Sequence, residues 1–140
     1  MLSSARSAGA LVAVLAACQT DATGPEPNVL LGAFGASDVR TELWATHTGI
    51  ELDDGCAYFA SSEPAVVASD GSFQVDGRYH GSGLIIHTSP ARLAGHTTGG
   101  PLATVTLTLT LLDVRPPAVQ PTVALTRNTH YTGEPFPCPQ

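Results

Sequence analysis

Histidine is the residue type in this chain with the widest chemical range, because a neutral imidazole binds metal ions and also transfers protons near neutral pH. The histidines are spread along the sequence as His47, His80, His87, His96 and His130. A metal site needs several ligands that converge on one point, and none of these spacings matches a ligand motif. His80 and His87 could meet across the glycine-rich turn between them if both lie on strands. We expect all of them to be exposed polar residues near strand ends, and we predict no metal ion and no cofactor.

A serine nucleophile and a carboxylate pair are the other candidates for chemistry. Ser82 lies between Gly81 and Gly83, but the segment lacks the Gly-x-Ser-x-Gly spacing and the following helix of a hydrolase nucleophile. Glycine and serine are also the usual residues of a plain turn. Asp53 and Asp54 come directly before a glycine, which is typical of a solvated turn. We therefore predict no catalytic residue, and we keep a small envelope hydrolase or metal-dependent enzyme only as the alternative function.

Two aromatic residues, Trp44 and Tyr79, could line a ligand cavity inside a barrel. Small barrels are usually filled by their own side chains, so packing in the core is the favoured role. Trp44 falls on the face of its segment that also carries Arg40 and Glu42. We expect it to be partly exposed or to cap one end of a sheet.

The N-terminal residues have the three parts of a secretory signal. A short segment with one positive charge, Arg6, precedes an apolar run at 8–17 and a zone of small residues at 16–18. The apolar run of about ten residues is half the length that a bilayer-spanning helix needs, about 20 residues. The sequence Leu15-Ala16-Ala17-Cys18 that closes this run resembles the lipobox of bacterial lipoproteins.

The lipobox resemblance implies that residues 1–17 are removed and that Cys18 carries lipid, including palmitate. An ordinary secreted protein cut near Ala17 is the alternative. More than one acyl chain holds a protein stably on a membrane, since each buried CH2 contributes about 0.8 kcal/mol. In the lipoproteins that this signal resembles, Asp after the cysteine favours retention in the inner membrane, whereas this chain has Gln19. We expect an exported, membrane-anchored protein of the outer membrane, facing the periplasm or the cell surface.

Acylation of Cys18 leaves Cys56 and Cys138 as the only other cysteines of the chain. An even pair in an oxidising compartment predicts a disulfide. Its closed loop of about 80 residues corresponds to about 4 to 5 kcal/mol in the chain-entropy model. A catalytic or zinc-binding use of either cysteine would need partner residues that the sequence does not show.

The charge of the mature chain excludes some partners. Without residues 1–17 the chain has five arginines, no lysine and twelve acidic residues, which gives a formal charge of −7. Such a chain offers no basic patch for nucleic acid, so we predict no nucleic-acid partner. For the same reason we do not expect attraction to anionic lipid headgroups, so the acyl chains would carry the membrane attachment.

The remaining sequence divides into a tether and one domain. Residues 18–28 have no apolar pattern, and their two prolines favour extended backbone. Residues 29–140 are enough for one core and too few for a second domain.

Within this domain the apolar residues alternate with a period of two, which is typical of strands. In the segment 39–46, Val39, Thr41, Leu43 and Ala45 share one face, and in 102–112 leucines and a valine alternate with threonines. Further strands are predicted at 50–52, 56–60, 72–75, 84–87, 91–97 and 122–126. Ser89 and Pro90 are expected to end one strand, and 113–121 is a proline-rich connection. Seven to nine strands between Gly, Asp-Gly and Pro turns predict an all-β antiparallel barrel or barrel-like meander, with a two-sheet sandwich as the alternative.

The domain also carries a longer pattern. An Ile-x-Leu strand and a Cys-Ala pair precede Asp-Gly-x-Phe-x-Val-x-Gly-x-Tyr, and a Leu/Thr strand and a late cysteine follow. This arrangement resembles small exported or lipid-anchored bacterial proteins, a resemblance that brings no known activity. We predict a lipid-anchored envelope protein that is a non-enzymatic binding or structural module, with a protein partner or a small apolar ligand still to be identified.

Overall fold

The computed structural model describes residues 28–81, 87–99, 103–134 and 137–138. The predicted signal, Cys18, Ser82 and most of the predicted strand 84–87 lie outside these residues. The described residues contain no helix and form nine strands. They are β1 (Gly32–Gly35), β2 (Glu42–Thr46), β3 (Gly49–Asp53), β4 (Tyr58–Ser61), β5 (Ser72–His80), β6 (Thr88–Thr98), β7 (Thr104–Leu111), β8 (Ala118–Val119) and β9 (Val123–Arg127). No helix in this part of the chain has the length and hydropathy to cross a bilayer.

Eight of the described strands close into an antiparallel barrel. Each strand from β1 to β7 pairs with the next, and β9 pairs with both β7 and β1. The remaining strand, β8, is an addition that pairs with β7 at Thr110 and Leu111, beyond the part of β7 that β9 covers. The predicted antiparallel barrel is confirmed, and the two-sheet sandwich is not the fold.

The barrel has two distinct ends. We call the end at which β1, β3, β5 and β7 finish the mouth, and the opposite end the base. At the base, the segment 28–30 pairs with the β4–β5 loop through the bonds Leu30 N–Ala65 O (2.9 Å) and Val67 N–Asn28 O (2.7 Å). Leu30 and Ala65 are buried there, so the described chain begins at the closed end of the barrel.

The predicted alternation sets the inner and outer faces. Val105, Leu107 and Leu109 of β7 are buried, whereas the threonines between them are half-buried or exposed. On β2, Leu43 and Ala45 point inward, and Trp44 is 38% exposed on the outer face. Both predicted faces are confirmed, including the partial exposure of the tryptophan.

Two glycines on inner faces make room for the largest core side chains. A Cβ added at Gly77 would lie 2.6 Å from Cζ of the buried Phe59, and one at Gly95 would fall against the ring of Phe73. The two rings therefore occupy space that other residue types would block, and they fill the interior between base and mouth.

Pro90 lies inside β6, so the prediction that Ser89 and Pro90 end a strand is wrong. Proline is tolerated here because its missing N–H falls at the end of the β6–β7 ladder, whose last strand pair is Ala91 with Leu111. Its carbonyl still accepts a hydrogen bond from Leu112 N at 2.9 Å. The connection 113–121 also contains β8, which the sequence analysis missed because the strand is only two residues long.

A C-terminal segment, residues 129–134, forms a strap across the outside of the barrel. Asn128 has a φ of 56° and turns the chain back after β9. The strap crosses β1 at Gly35, where a Cβ would meet the Thr129 carbonyl, and Thr132 N donates to Ser37 O at 3.3 Å. Beyond the strap, Cys138 is joined to Cys56, with their Cα atoms 5.3 Å apart. The predicted disulfide is confirmed.

Candidate functional site

A pocket of about 390 Å³ opens at the mouth of the barrel. This volume lies within the range of small-ligand sites, roughly 300 to 1,000 Å³. Residues of β3, β5, β7 and β9 line it together with the β1–β2, β3–β4 and β8–β9 connections. They are Val39, Thr41, Leu52, Asp54, Tyr79, Leu107, Leu109, Gln120, Pro121, Thr122 and Val123. We call this the mouth pocket.

The inner wall of the mouth pocket is apolar. Leu107 and Leu109 are consecutive inward residues of β7, and both are buried. Leu52 at the end of β3 and Val123 at the start of β9 complete the wall. These side chains come from three strands, so the wall exists only because the barrel is closed.

Polar groups lie around this wall. Tyr79, the last inward residue of β5, is half-buried, packs against the core and lines the pocket. Burial raises the pKa of its phenol, and the negative charge of Asp54 raises that pKa further. Since the shift is upward from a value near 10, Tyr79 keeps its proton at neutral pH and can donate a hydrogen bond.

Asp54 places a carboxylate at the rim. Its Oδ1 accepts hydrogen bonds from the N–H groups of Cys56 (2.8 Å) and Ala57 (2.6 Å). This is the side chain-to-backbone turn that Asp favours, and it lies next to the Cys56–Cys138 disulfide. The loop therefore holds the Asp54 carboxylate in one orientation.

Asp53, the neighbour of Asp54, lines a different pocket. Its Oδ1 accepts a hydrogen bond from Gly55 N, and it lies beneath the strap together with Arg40 and Trp44. This strap pocket has a volume of about 270 Å³ and is also lined by Glu42, Gly55 and Tyr131. The two carboxylates thus face different pockets, and each accepts hydrogen bonds from backbone N–H groups of the turn that follows it.

The described histidines are not gathered at one place. His80 stacks on Tyr58 with ring centroids 4.4 Å apart, and its Nδ1 lies 3.1 Å from Thr88 Oγ1. His87 is the last residue before β6, and its carbonyl accepts a hydrogen bond from Gly81 N, just after β5, at 3.2 Å.

The other histidines lie elsewhere on the barrel. His47 is exposed in the β2–β3 turn at the base. His96 Nε2 lies 2.8 Å from the Asp70 carbonyl oxygen, and His130 Nδ1 lies 3.1 Å from Glu42 Oε1. Within the described ranges, no group of three or more His, Cys, Asp or Glu residues is arranged to hold a metal ion.

Sequence reasoning named Asp54 and Tyr79 but missed the apolar wall between them. Leu107 and Leu109 were predicted as core residues, and nothing in the alternation of β7 indicates which inward leucines lie near the mouth. Residues 120–122 were assigned to a connection and to the start of a strand, without a role. The lengths of the predicted strands carry a usable signal. Because β7 is longer than its barrel neighbour β9, some inward residues of β7 lie beyond the end of β9.

Comparison of the chain with known protein families, with curated proteins and with solved structures found no match.

Proposed function

We propose that this protein is an exported, lipid-anchored envelope protein whose barrel binds a small, mainly apolar ligand in the mouth pocket. The observation that carries the proposal is the concave apolar wall of Leu52, Leu107, Leu109 and Val123 at an open barrel end. An eight-stranded barrel is just wide enough either to be filled by its side chains or to hold one small ligand. This barrel is filled near the base and leaves space at the mouth.

The composition of the mouth pocket favours binding over catalysis. Its lining is apolar with a few polar groups, which is the usual make-up of a small-molecule site. Ser, His and Cys are absent from the described residues that line it. The described lining therefore lacks the Ser-His and Cys-His pairs of common covalent catalysts, which favours reversible binding.

Two observations support an exported location. The lipobox-like sequence before Cys18 implies acylation of that residue, and a disulfide is typical of an oxidising compartment outside the cytosol. Because Asn28 lies at the base, a lipid on Cys18 would attach the barrel by its base and leave the mouth accessible.

Binding is tested by titrating the 15N-labelled domain, residues 19–140, with 1-octanol, an uncharged probe with an apolar chain. We expect saturable amide shifts at Leu107, Leu109 and Val123 and none at Phe73. The variant Val123→Phe fills the pocket and should abolish the shifts. The matched variant Ala124→Phe adds the same ring to the exposed neighbour on β9 and should retain them. Equal octanol binding by both variants, with both barrels folded by circular dichroism, would remove the mouth pocket as the site.

A further inference from the structure

We infer that the ligand of the mouth pocket is an amphiphile with a protonated amine at its polar end, and that the Asp54 carboxylate receives this amine. The inference rests on the proposed function, since it specifies the chemistry of a ligand for the same pocket. Three features support it: the position of Asp54, the charge around the pocket and the division of the lining into an apolar wall and a polar rim.

Asp54 has acceptor capacity to spare. A carboxylate offers about four acceptor sites on two oxygens, and the two backbone N–H groups of the loop bond only to Oδ1. A protonated amine carries several N–H donors and no acceptor, so it matches this side chain. Charge-assisted hydrogen bonds of this kind are about twice as strong as neutral ones.

The charge around the pocket selects against anions. The described residues that line the mouth pocket include Asp54 but no Arg, Lys or His. Arg40 lies against Gly55, which belongs to the same loop as Asp54. The side chain of Arg40, however, lines the strap pocket. The negative charge of Asp54 also acts on Tyr79, whose pKa it helps to raise, so its field reaches into the pocket. A fatty-acid carboxylate at this rim would lie close to a carboxylate of the same charge.

The two parts of the lining match the two parts of such a ligand. An alkyl chain would contact Leu52, Leu107 and Leu109, and its amine would remain at the rim beside the exposed Asp54. The hydroxyl of Tyr79 can donate a hydrogen bond to a polar head group or accept one from it. The structure therefore indicates an alkylamine-type amphiphile rather than a fatty acid or a pure hydrocarbon.

The experiment compares three probes of equal chain length, octylamine, 1-octanol and octanoate, by the same NMR titration at neutral pH and low salt. We expect octylamine to bind more tightly than octanol, and octanoate to bind most weakly. We expect the dissociation constant of octylamine to be about tenfold lower than that of octanoate. A factor of this size lies between the effect of an exposed ion pair and that of a buried one. In 1 M salt, where the Debye length is about 3 Å, the advantage of octylamine over octanol should shrink.

Two isosteric variants separate the pocket charge from the net charge. Asp54→Asn keeps an Oδ1 acceptor for the loop N–H groups and removes the charge, so it should make octylamine and octanoate bind nearly equally. Asp53→Asn removes one charge from the last residue of β3, on the strap side, and should leave the preference intact.

Equal binding of octylamine and octanoate by the native protein would overturn the amine inference while leaving an apolar binding site. The same conclusion follows if Asp53→Asn removes the preference as fully as Asp54→Asn. If none of the three probes binds, the proposed function fails as well.

Discussion

Asp76 and Arg92 show how single side chains stabilise the outer surface of this barrel. They lie opposite each other on β5 and β6, and the guanidinium donates from Nε to Oδ1 at 2.7 Å and from Nη2 to Oδ2 at 3.1 Å. The hydrogen bond from Arg92, and then its positive charge, lower the pKa of Asp76 below the ordinary value. Both side chains are solvent-exposed, so the pair is a sensitive reporter of local geometry and a small contributor to stability.

The variant Arg92→Gln should raise the pKa of Asp76 towards its ordinary value near 3.9, since it removes both the fork of donors and the charge. Asp70, whose pKa is lowered by hydrogen bonds from Ser72, is the internal control and should not move. The measurement is a carboxyl-carbon NMR titration of both residues.

The sign of the linked stability follows from the direction of this shift. Because folding lowers the pKa of Asp76, the pair stabilises the native state above the unfolded pKa and loses that contribution as pH falls through the folded pKa. Arg92→Gln should therefore reduce the loss of stability that occurs as pH falls below the ordinary Asp pKa near 3.9. An Asp76 pKa that does not change in the variant would contradict the pairing.

At the scale of strands, the structure depends on which inward positions are small. Gly95 of β6 lies where the Phe73 ring and Leu107 meet, and an added Cβ would contact both. The same strand carries Pro90 at the point where the β7 ladder has ended. Both residues usually weaken a strand interior, and here each occupies a position that the barrel makes tolerable.

Gly95→Ala should lower the free energy of unfolding by about 1 to 3 kcal/mol, because the extra methyl group overpacks a filled interior. Gly99→Ala is the matched control: among the described residues, apart from its chain neighbours, no atom lies within 4 Å of the added Cβ, so its effect should stay within about 0.5 kcal/mol. Urea unfolding followed by circular dichroism measures both. A Gly95→Ala barrel as stable as the native one would show that the interior is less tightly packed than described.

The strands were predictable where one face is buried and the other is wet. The alternation of β2 and β7 showed which side chains point inward, because a period of two leaves no other register once one face is buried. That β6 continues through Pro90 was not predictable from the Ser-Pro dipeptide, because it depends on where the neighbouring strand β7 ends. The two-residue β8 carries no periodicity at all and was missed for that reason.

At the scale of the whole molecule, closure creates the site. Phe34 and Gly35 of β1 pair with Arg127 and Thr126 of β9, which joins the beginning and the end of the domain. Local patterns count strands but do not say which distant strands pair, so the sequence left both a barrel and a sandwich open. The mouth pocket depends on this closure and was therefore not predictable, although two of its polar residues were named.

The proposed attachment of the whole protein to a membrane through lipid on Cys18 can be tested directly. We expect the protein purified from membranes of cells that express the full chain to begin at an acylated Cys18, identified by mass spectrometry of the N-terminal peptide. Cys18→Ser should move the protein out of the membrane fraction, because the acidic domain has little attraction to lipid headgroups. Gln19→Asp is the control that should keep the acyl groups. An intact leader, or an unmodified Cys18, would contradict the anchoring proposal.

The central claim is that the mouth of the closed barrel receives an apolar chain. The most direct test is to measure intermolecular nuclear Overhauser effects between octylamine and the methyl groups of the selectively labelled domain. We predict contacts from the alkyl chain to the methyl groups of Leu52, Leu107 and Leu109, which line the mouth pocket. Contacts confined to exposed apolar residues outside the pocket, such as Val119 and Val114, would contradict it.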